Sequence, residues 1–406
     1  MGVRAAQMDF EGNEREADEM KKVITLLMLS LLLACNGSNG GNGDIPPITC
    51  DPPTGWDDTV YLELNPDVAA DSYYSQYPLI HWCSIGKAEG RKYKKITSFT
   101  LIEEAPLSCY FTVKKINGVL NAGTYGYQNG IHASEIRQGK TTIQKFDAES
   151  VFAIREFKGD YYASLEHGKF STVDRAMIYK LINGVWQEVY RHPRWVIMTE
   201  MHVHEGYLYA TGTAWDNPSD PAGVVRSSDG INWEIYFENS YEYRFWGMTS
   251  MGSELWIAAT SSGVDWGSNN SNPSVFRGKD LIWRDYSRPN HGFWGITHHK
   301  GDIYLGGTGI ARVVRFSDKR TVLESTAHEA CHWIGSDGDN MFAAFSSSGA
   351  ADAKIYKSID GTTWTEMTGI TAKTLISGSF EDDGLYIAGG RFHQKSEGYG
   401  HIYKSN

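Results

Sequence analysis

The sequence predicts an all-β fold: a seven-bladed β-propeller with a small N-terminal helical module. Three observations predict it. A tight turn followed by a short β-rich strand recurs seven times, at intervals of about 45 residues. The seventh unit ends early at Asn406, while a spare strand-like run stands upstream of the first unit. A second, turn-forming motif recurs in phase with the first.

Composition narrows the function classes. Of 406 residues, 13% are aromatic and 21% charged, whereas a disordered chain is aromatic-poor and charge-rich. Ala, Glu, Lys and Leu do not dominate, which excludes a coiled coil. Thirty-eight Lys and Arg against 49 Asp and Glu give a formal charge of −11. Nucleic acid is therefore not an expected partner, since phosphate contacts need a basic footprint. An anionic ligand in a locally basic cleft stays open. The chain has no P-loop, no dinucleotide-binding glycine motif in a βαβ context and no nucleophile elbow. No organic cofactor is expected.

Residues 1–34 read as an address. Residues 1–19 show no apolar period and form an upstream extension. Met20-Lys21-Lys22 is a basic stretch, Val23 to Leu33 an apolar one, and Leu32-Leu33-Ala34-Cys35 follows. This resembles a bacterial lipoprotein signal, with Cys35 as the lipidated residue. The apolar run is too short for a permanent membrane span. The resemblance implies export and lipid anchoring to a bacterial membrane, at the outer membrane or cell surface, with no other membrane contact. The alternative is an uncleaved anchor. Residues 35–55 form a flexible linker, with Asn36 to Gly43 all Asn, Gly or Ser. Cys50, Cys83, Cys109 and Cys331 remain; they allow three pairings, of which Cys50–Cys83 is the most local.

Residues 56–95 hold Tyr61-Leu-Glu-Leu-Asn-Pro-Asp-Val68, His81-Trp82 and Gly86-Lys-Ala-Glu-Gly-Arg91. They resemble a short helical module of bacterial surface proteins, with Trp82 where Tyr is usual. The resemblance implies surface interaction and no chemistry.

Residues 96–406 form the propeller. Its repeated turns include Asn117-Gly118, Gly159-Asp160, Gly206-Tyr207 and Gly301-Asp302. Seven units of four strands fit seven blades. The spare run Ile96 to Ile102 supplies the strand that the seventh unit lacks, so the ring closes without an open edge. A monomer is expected.

The second motif appears as Ser227-Ser-Asp-Gly-Ile-Asn-Trp233 and Ser358-Ile-Asp-Gly-Thr-Thr-Trp364. It resembles the Asp-box of sialidase-like repeats. Its Asp accepts hydrogen bonds from turn amides and its Trp packs between blades, so Asp229 and Asp360 are read as structural. The sialidase resemblance stops there, for want of an Arg-Ile-Pro signature or an arginine triad.

The turns between first and second strands, and these Asp turns, share one face. The opposite face receives the long loops, rich in Trp, Tyr, His and Arg. Function usually sits on loops held by a rigid scaffold. Aromatic faces suit sugar C–H groups, and Arg and His suit carboxylate or sulfate. An anionic polysaccharide is the expected partner.

In architecture, export and residue types the chain resembles exported seven-bladed polysaccharide lyases, notably ulvan lyases. That resemblance implies β-elimination on a uronate-containing chain, with His and Tyr moving protons and Arg near the carboxylate. Neutralising the carboxylate stabilises the enolate-like charge, while a base and an acid transfer protons. The candidates are His132, His167 and Tyr243 for proton transfer. Arg175, Arg194 and Arg244 are candidates for the carboxylate. Trp246 and Trp294 could form a sugar platform, with packing in the channel as the alternative. A non-catalytic glycan- or protein-binding propeller is the main rival. A glycoside hydrolase ranks third because the loops show few acids beyond Asp216 and Asp265.

His328-Glu-Ala-Cys-His332 matches the H-E-x-x-H zinc pattern. That pattern works on a helix, and the repeat phase puts this segment on an inner strand. A structural zinc is the remaining cofactor candidate, on His291, Cys331, His332 and His393, as the lyase resemblance also implies. The alternative is a buried thiol and hydrogen-bonded histidines.

Overall fold

The computed structural model describes residues 50–53, 55–89, 91–105, 109–128, 131–132, 134–166, 175–213, 221–261, 272–288, 291–347, 349, 351–390 and 400–406. Tyr127, Gln128, Ile131, His132 and Tyr243 are described by backbone alone. The predictions for Cys35, His167 and His393 lie outside the described residues. The chain divides into one unit ending at Tyr93 and another from Lys94 to Asn406.

The first unit has helices α1 (Asp58–Leu64), α2 (Pro66–Ala70) and α3 (Pro78–His81), the last running into a π-turn at Trp82–Gly86. Asp57 caps α1 by accepting the Thr59 and Val60 amides at 2.8 and 3.1 Å. Pro66 ends α1 and starts α2. The motif residues bind one another. Asn65 Nδ2 donates to the carbonyls of Tyr61 and Lys92, both at 2.8 Å. Tyr61 Oη meets His81 Nδ1 at 2.7 Å. A Cβ at Gly86 would lie 2.3 Å from Tyr61 Oη. Cys50 and Cys83 form a disulfide, Cα atoms 5.7 Å apart. A unit this small needs such a staple, because its core is little more than Tyr61, Val68, Trp82 and Tyr93.

The second unit is a β-propeller of seven antiparallel four-stranded blades. The inner strands are Cys109–Ile116, Ser150–Phe157, Ile197–His204, Glu242–Met251, Gly292–His299, Ala330–Ser336 and Thr374–Glu381. Each packs against the next, and the seventh packs against the first. The strand Phe99–Ala105 completes the seventh blade, antiparallel to Gly400–Ser405. It starts three residues later than the run read from sequence. Asn406 Nδ2 donates to Ser98 Oγ at 2.8 Å and Thr100 Oγ1 at 2.9 Å, tying the two ends of the propeller chain together.

Local chemistry explains the turns. Asn117-Gly118 and Lys158-Gly159 have positive φ at both positions, which two-residue hairpin turns of this hand require. Asp229 Oδ1 accepts the Ile231 and Asn232 amides at 2.8 and 2.7 Å. Asp360 Oδ1 repeats this with Thr362 and Thr363 at 2.8 and 2.7 Å. Gly230 and Gly361 both have φ +74°, and a Cβ there would meet the hydroxyls of Tyr162 and Tyr304 at 1.9 and 2.0 Å. Those tyrosines belong to the preceding blades, and Trp233 and Trp364 pack into the same inter-blade clusters. Both Asp turns are structural.

Candidate functional site

Every inner strand carries a register shift at the same place. The shifts fall at Tyr110/Thr112, Val151/Ala153, Met198/Met201, Phe245/Met248, Phe293/Gly295, Cys331/Trp333 and Leu375/Ser377. A bulge frees one residue from the ladder and re-aims its side chain. Phe111, Phe152, Thr199, Trp246, Trp294, His332 and Ile376 fall in these bulges, and all line one axial cavity of about 310 Å³. Small residues let the strands converge. A Cβ at Gly247 would lie 2.7 Å from the Trp294 carbonyl, and one at Gly295 3.0 Å from Ile334.

Three of the seven form an aromatic arc. Trp246 and Trp294 stack at 3.9 Å and 19°, and His332 meets Trp294 edge-on at 4.5 Å and 74°. The Arg244 guanidinium lies over Trp246 at 5.0 Å, and His332 Nδ1 is 3.1 Å from Ser346 Oγ. Trp246 is only 5% exposed. Trp246 and Trp294 pack on each other, so their mutual stacking takes one face of each ring, in line with the alternative of packing in the channel. Further along the inner strands the polar groups are also paired. Arg155 binds Glu200 at 2.6 Å, and Ser250 Oγ lies between His202 Nε2 and His204 Nδ1 at 2.7 and 2.9 Å.

The loop-face mouth holds a cluster that the sequence reading missed. Tyr125 Oη donates to Glu149 Oε1 at 2.7 Å, and Ser150 Oγ donates to Glu166 Oε2 at 2.8 Å. The Glu149 amide donates to the Glu166 carbonyl at 3.0 Å. Burial, then the Glu149 charge, push the Glu166 carboxyl up to about 8, against the pull of Ser150 and Arg244. Glu166 ends the second strand of blade 2, whereas Arg244 lies near the start of blade 4. Groups two blades apart influence each other here because both stand at the loop-face ends of their strands. The available signal was positional: Glu149 immediately precedes an inner strand and Glu166 closes its neighbour, so both stand on the loop face. Asp216 and Asp265 lie outside the described residues.

The other predicted residues are placed as follows. Arg194 is bound by both oxygens of Glu238 at 2.6 Å, so its guanidinium already holds a protein carboxylate. The Arg194 and Trp195 amides donate to His192 Nδ1 at 3.1 and 2.8 Å, and His192 stacks on Trp195 at 3.9 Å. Burial, then the charges of Arg194 and Arg175, push His192 down to about 3. That brings Arg175, half-buried, into one basic group with Arg194 between blades 2 and 3. Arg244 is 2% exposed. The backbone of Tyr243 directly precedes it, and His167 directly follows Glu166 in the chain. His132 lies in a two-residue strand paired with Tyr127–Gln128.

The zinc set is not assembled by the described residues. Cys331 is fully buried beside Tyr304, Ala311 and Val313, and burial pushes its thiol up. His332, the next residue, lines the axial cavity instead. The bulge at His332 turns that side chain to the axis while Cys331 packs between blades, so these two do not converge. His291 is half-buried, its ring 2.5 Å from where a Gly309 Cβ would stand. His328 is held by Ser325 at 2.8 Å and by the Asp352 carbonyl at 3.0 Å. Among the described residues no three of His, Cys, Asp and Glu gather as a metal shell.

No protein-family model matches the chain, and no curated protein matches it. The fold is nonetheless a β-propeller, on its own strand order and closure. Its structure has likenesses among solved structures. Sqt1 of Saccharomyces cerevisiae aligns with 10% identity and TM-score 0.46, over 77% of this chain and 100% of that one. BamB of Moraxella catarrhalis aligns with 8% identity and TM-score 0.41, over 73% and 83%. A Thermus protein titled a putative oxidoreductase (glucose dehydrogenase) aligns with 10% identity and TM-score 0.45, over 76% and 99%. Likenesses this distant assign no activity.

Proposed function

We propose that the protein is an exported polysaccharide lyase, lipid-anchored through Cys35, that cleaves a uronate-containing anionic chain by β-elimination, ulvan being the first substrate to test. The mouth cluster carries this reading. Burial and the neighbouring Glu149 charge favour the protonated form of the Glu166 carboxyl, which lies within electrostatic reach of the Arg244 guanidinium. A neutral carboxyl can protonate the leaving glycosidic oxygen, and a cation can stabilise charge that develops on the uronate carboxylate. Arg175 and Arg244 are the cations assigned to the uronate carboxylate. Tyr243, His132 and His167 are the assigned bases, the first and last adjoining Arg244 and Glu166 in the chain. The Cys50–Cys83 disulfide suits an oxidising, exported setting. No described helix is long and apolar enough to cross a membrane.

One observation favours the rival, a glycan- or protein-binding propeller without catalysis: Arg194, a candidate for the uronate carboxylate, is already held by Glu238. A single assay separates the two. The protein is incubated with ulvan and a panel of uronate polysaccharides while ultraviolet absorbance follows the unsaturated product. Absorbance that rises in wild type and is lost in Glu166→Gln and Tyr243→Phe is the expected result. Binding without absorbance moves the protein to the binding class. New reducing ends without absorbance identify hydrolysis.

A further inference from the structure

Trp246 and Trp294, stacked on each other, leave open what a sugar chain would stack on. A stacking surface must be an aromatic ring with a bare face, held on backbone that does not move. Scattered exposed apolar side chains are ordinary on any protein, so exposure alone is no argument. Two residues meet the fuller requirement. Tyr241 is 73% exposed and Tyr286 72%, above every other large apolar side chain described; Ile359 follows at 61%. Neither ring has a stacking or hydrogen-bond partner among the described residues.

Both stand at the loop-face end of one blade. Tyr241 immediately precedes the inner strand Glu242–Met251 of blade 4, and Tyr286 lies two residues beyond its outer strand Asp280–Arg284. The backbone beneath each is pinned. The Tyr241 amide donates to Asn239 Oδ1 at 2.8 Å. Asp285, beside Tyr286, donates its amide to the Pro273 carbonyl at 2.9 Å. Its carboxylate accepts the Ser287 amide at 3.1 Å and the buried Arg312 guanidinium at 3.3 Å. Glu242, next to Tyr241, accepts from Arg284, two residues before Tyr286. One ion pair therefore ties together the two strand ends that carry the rings. A free tyrosine on fixed backbone loses little entropy when a ligand covers it.

We propose that Tyr241 and Tyr286 form a two-point stacking platform for a polysaccharide chain laid across the loop-face end of blade 4. Inner and outer strands are three steps apart, about 14 Å at the usual inter-strand spacing, so the platform recognises an oligosaccharide and not a single sugar. The same inner strand carries Arg244, so a chain held here runs toward the mouth cluster. This inference rests on the polysaccharide reading above and adds where the chain is gripped.

The test is affinity electrophoresis of the full chain in gels containing ulvan or the other uronate polysaccharides. Tyr241→Ala and Tyr286→Ala are each expected to weaken retention about five- to tenfold, with Tyr→Phe variants within about twofold of wild type, because stacking needs the ring and not the hydroxyl. Thermal melts should match wild type, since neither ring packs on the protein. Disaccharide binding, measured by calorimetry, should change less than polysaccharide binding. Wild-type retention that survives both Ala substitutions overturns the platform and leaves the polysaccharide reading standing. No retention of wild type by any polysaccharide overturns both.

Discussion

The two faces of the propeller use polar side chains in opposite ways. On the tight-turn face, Asp229 and Asp360 are fully engaged by backbone amides two and three residues ahead. Those hydrogen bonds hold both carboxyls far below the usual carboxylate range. On the loop face, Glu166 is pushed the other way, by burial and by Glu149. The same chemical group is held in its charged form at one end of the blades and pushed toward its neutral form at the other. The lesson is that acidic residues on a propeller should be judged by what surrounds the carboxyl, not by how regularly they recur. The recurrent acids build turns, and it is the isolated Glu166, beside Glu149, to which the proposed function assigns chemistry.

The largest effect should come from removing the proton of the mouth. Glu166→Gln is expected to lower the rate of unsaturated-product formation by at least about 100-fold, with polysaccharide retention within about threefold of wild type. Asp360→Asn should leave that rate unchanged. Equal losses in the two variants would dissolve the contrast between the faces.

A second contrast concerns the turns themselves. Gly361 and Gly118 both have positive φ, but only at Gly361 would a Cβ collide, with Tyr304 Oη at 2.0 Å. Gly361→Ala should cost about 2–4 kcal/mol in denaturant unfolding, and Gly118→Ala about 1 kcal/mol. Similar losses would mean that the Asp turn does not dock rigidly on the preceding blade.

The pH dependence has a definite sign. Glu166 is raised from 4.5 to about 8, so between those values the folded chain holds a proton that the unfolded chain has lost. Its contribution to stability is complete below pH 4.5 and disappears as pH rises through about 8. Tm measured across pH 5–9 should therefore decline more steeply in wild type than in Glu166→Gln. Parallel curves would show that Glu166 titrates normally.

The smallest effect is expected at the rim. Arg194 is 41% exposed and paired with Glu238, so Arg194→Ala should change stability by about 0–1 kcal/mol. A larger loss would show that the pair fixes the loop between blades 2 and 3.

Much of the architecture was legible in the chain itself. Turn chemistry at Asn117-Gly118, the Asp turns, the seven-fold period and the spare terminal strand are local features. Each is dictated by residues within a few positions of one another, and repetition makes them unmistakable. Cys50–Cys83 was the most local of the three pairings that the four cysteines allow, and it is the one formed. Other features had no local signature. Alternation along a strand does not reveal which residue is extra, so the bulges that turn Trp246 and Trp294 inward were hidden, and burial of Trp246 with them. Cys331 and His332 looked like two ligands because they are neighbours in sequence, yet strand geometry sends them to different compartments. Glu149 and Glu166 lie on blade 2 and Arg244 on blade 4, and nothing in a repeating sequence states how closely the mouth of the ring gathers them. The sequence by itself determined the repeating unit and the closing strand, because those depend on short-range backbone preferences. Only the tertiary structure decided which side chains share the mouth and which lie buried, because that depends on closing seven blades around one axis.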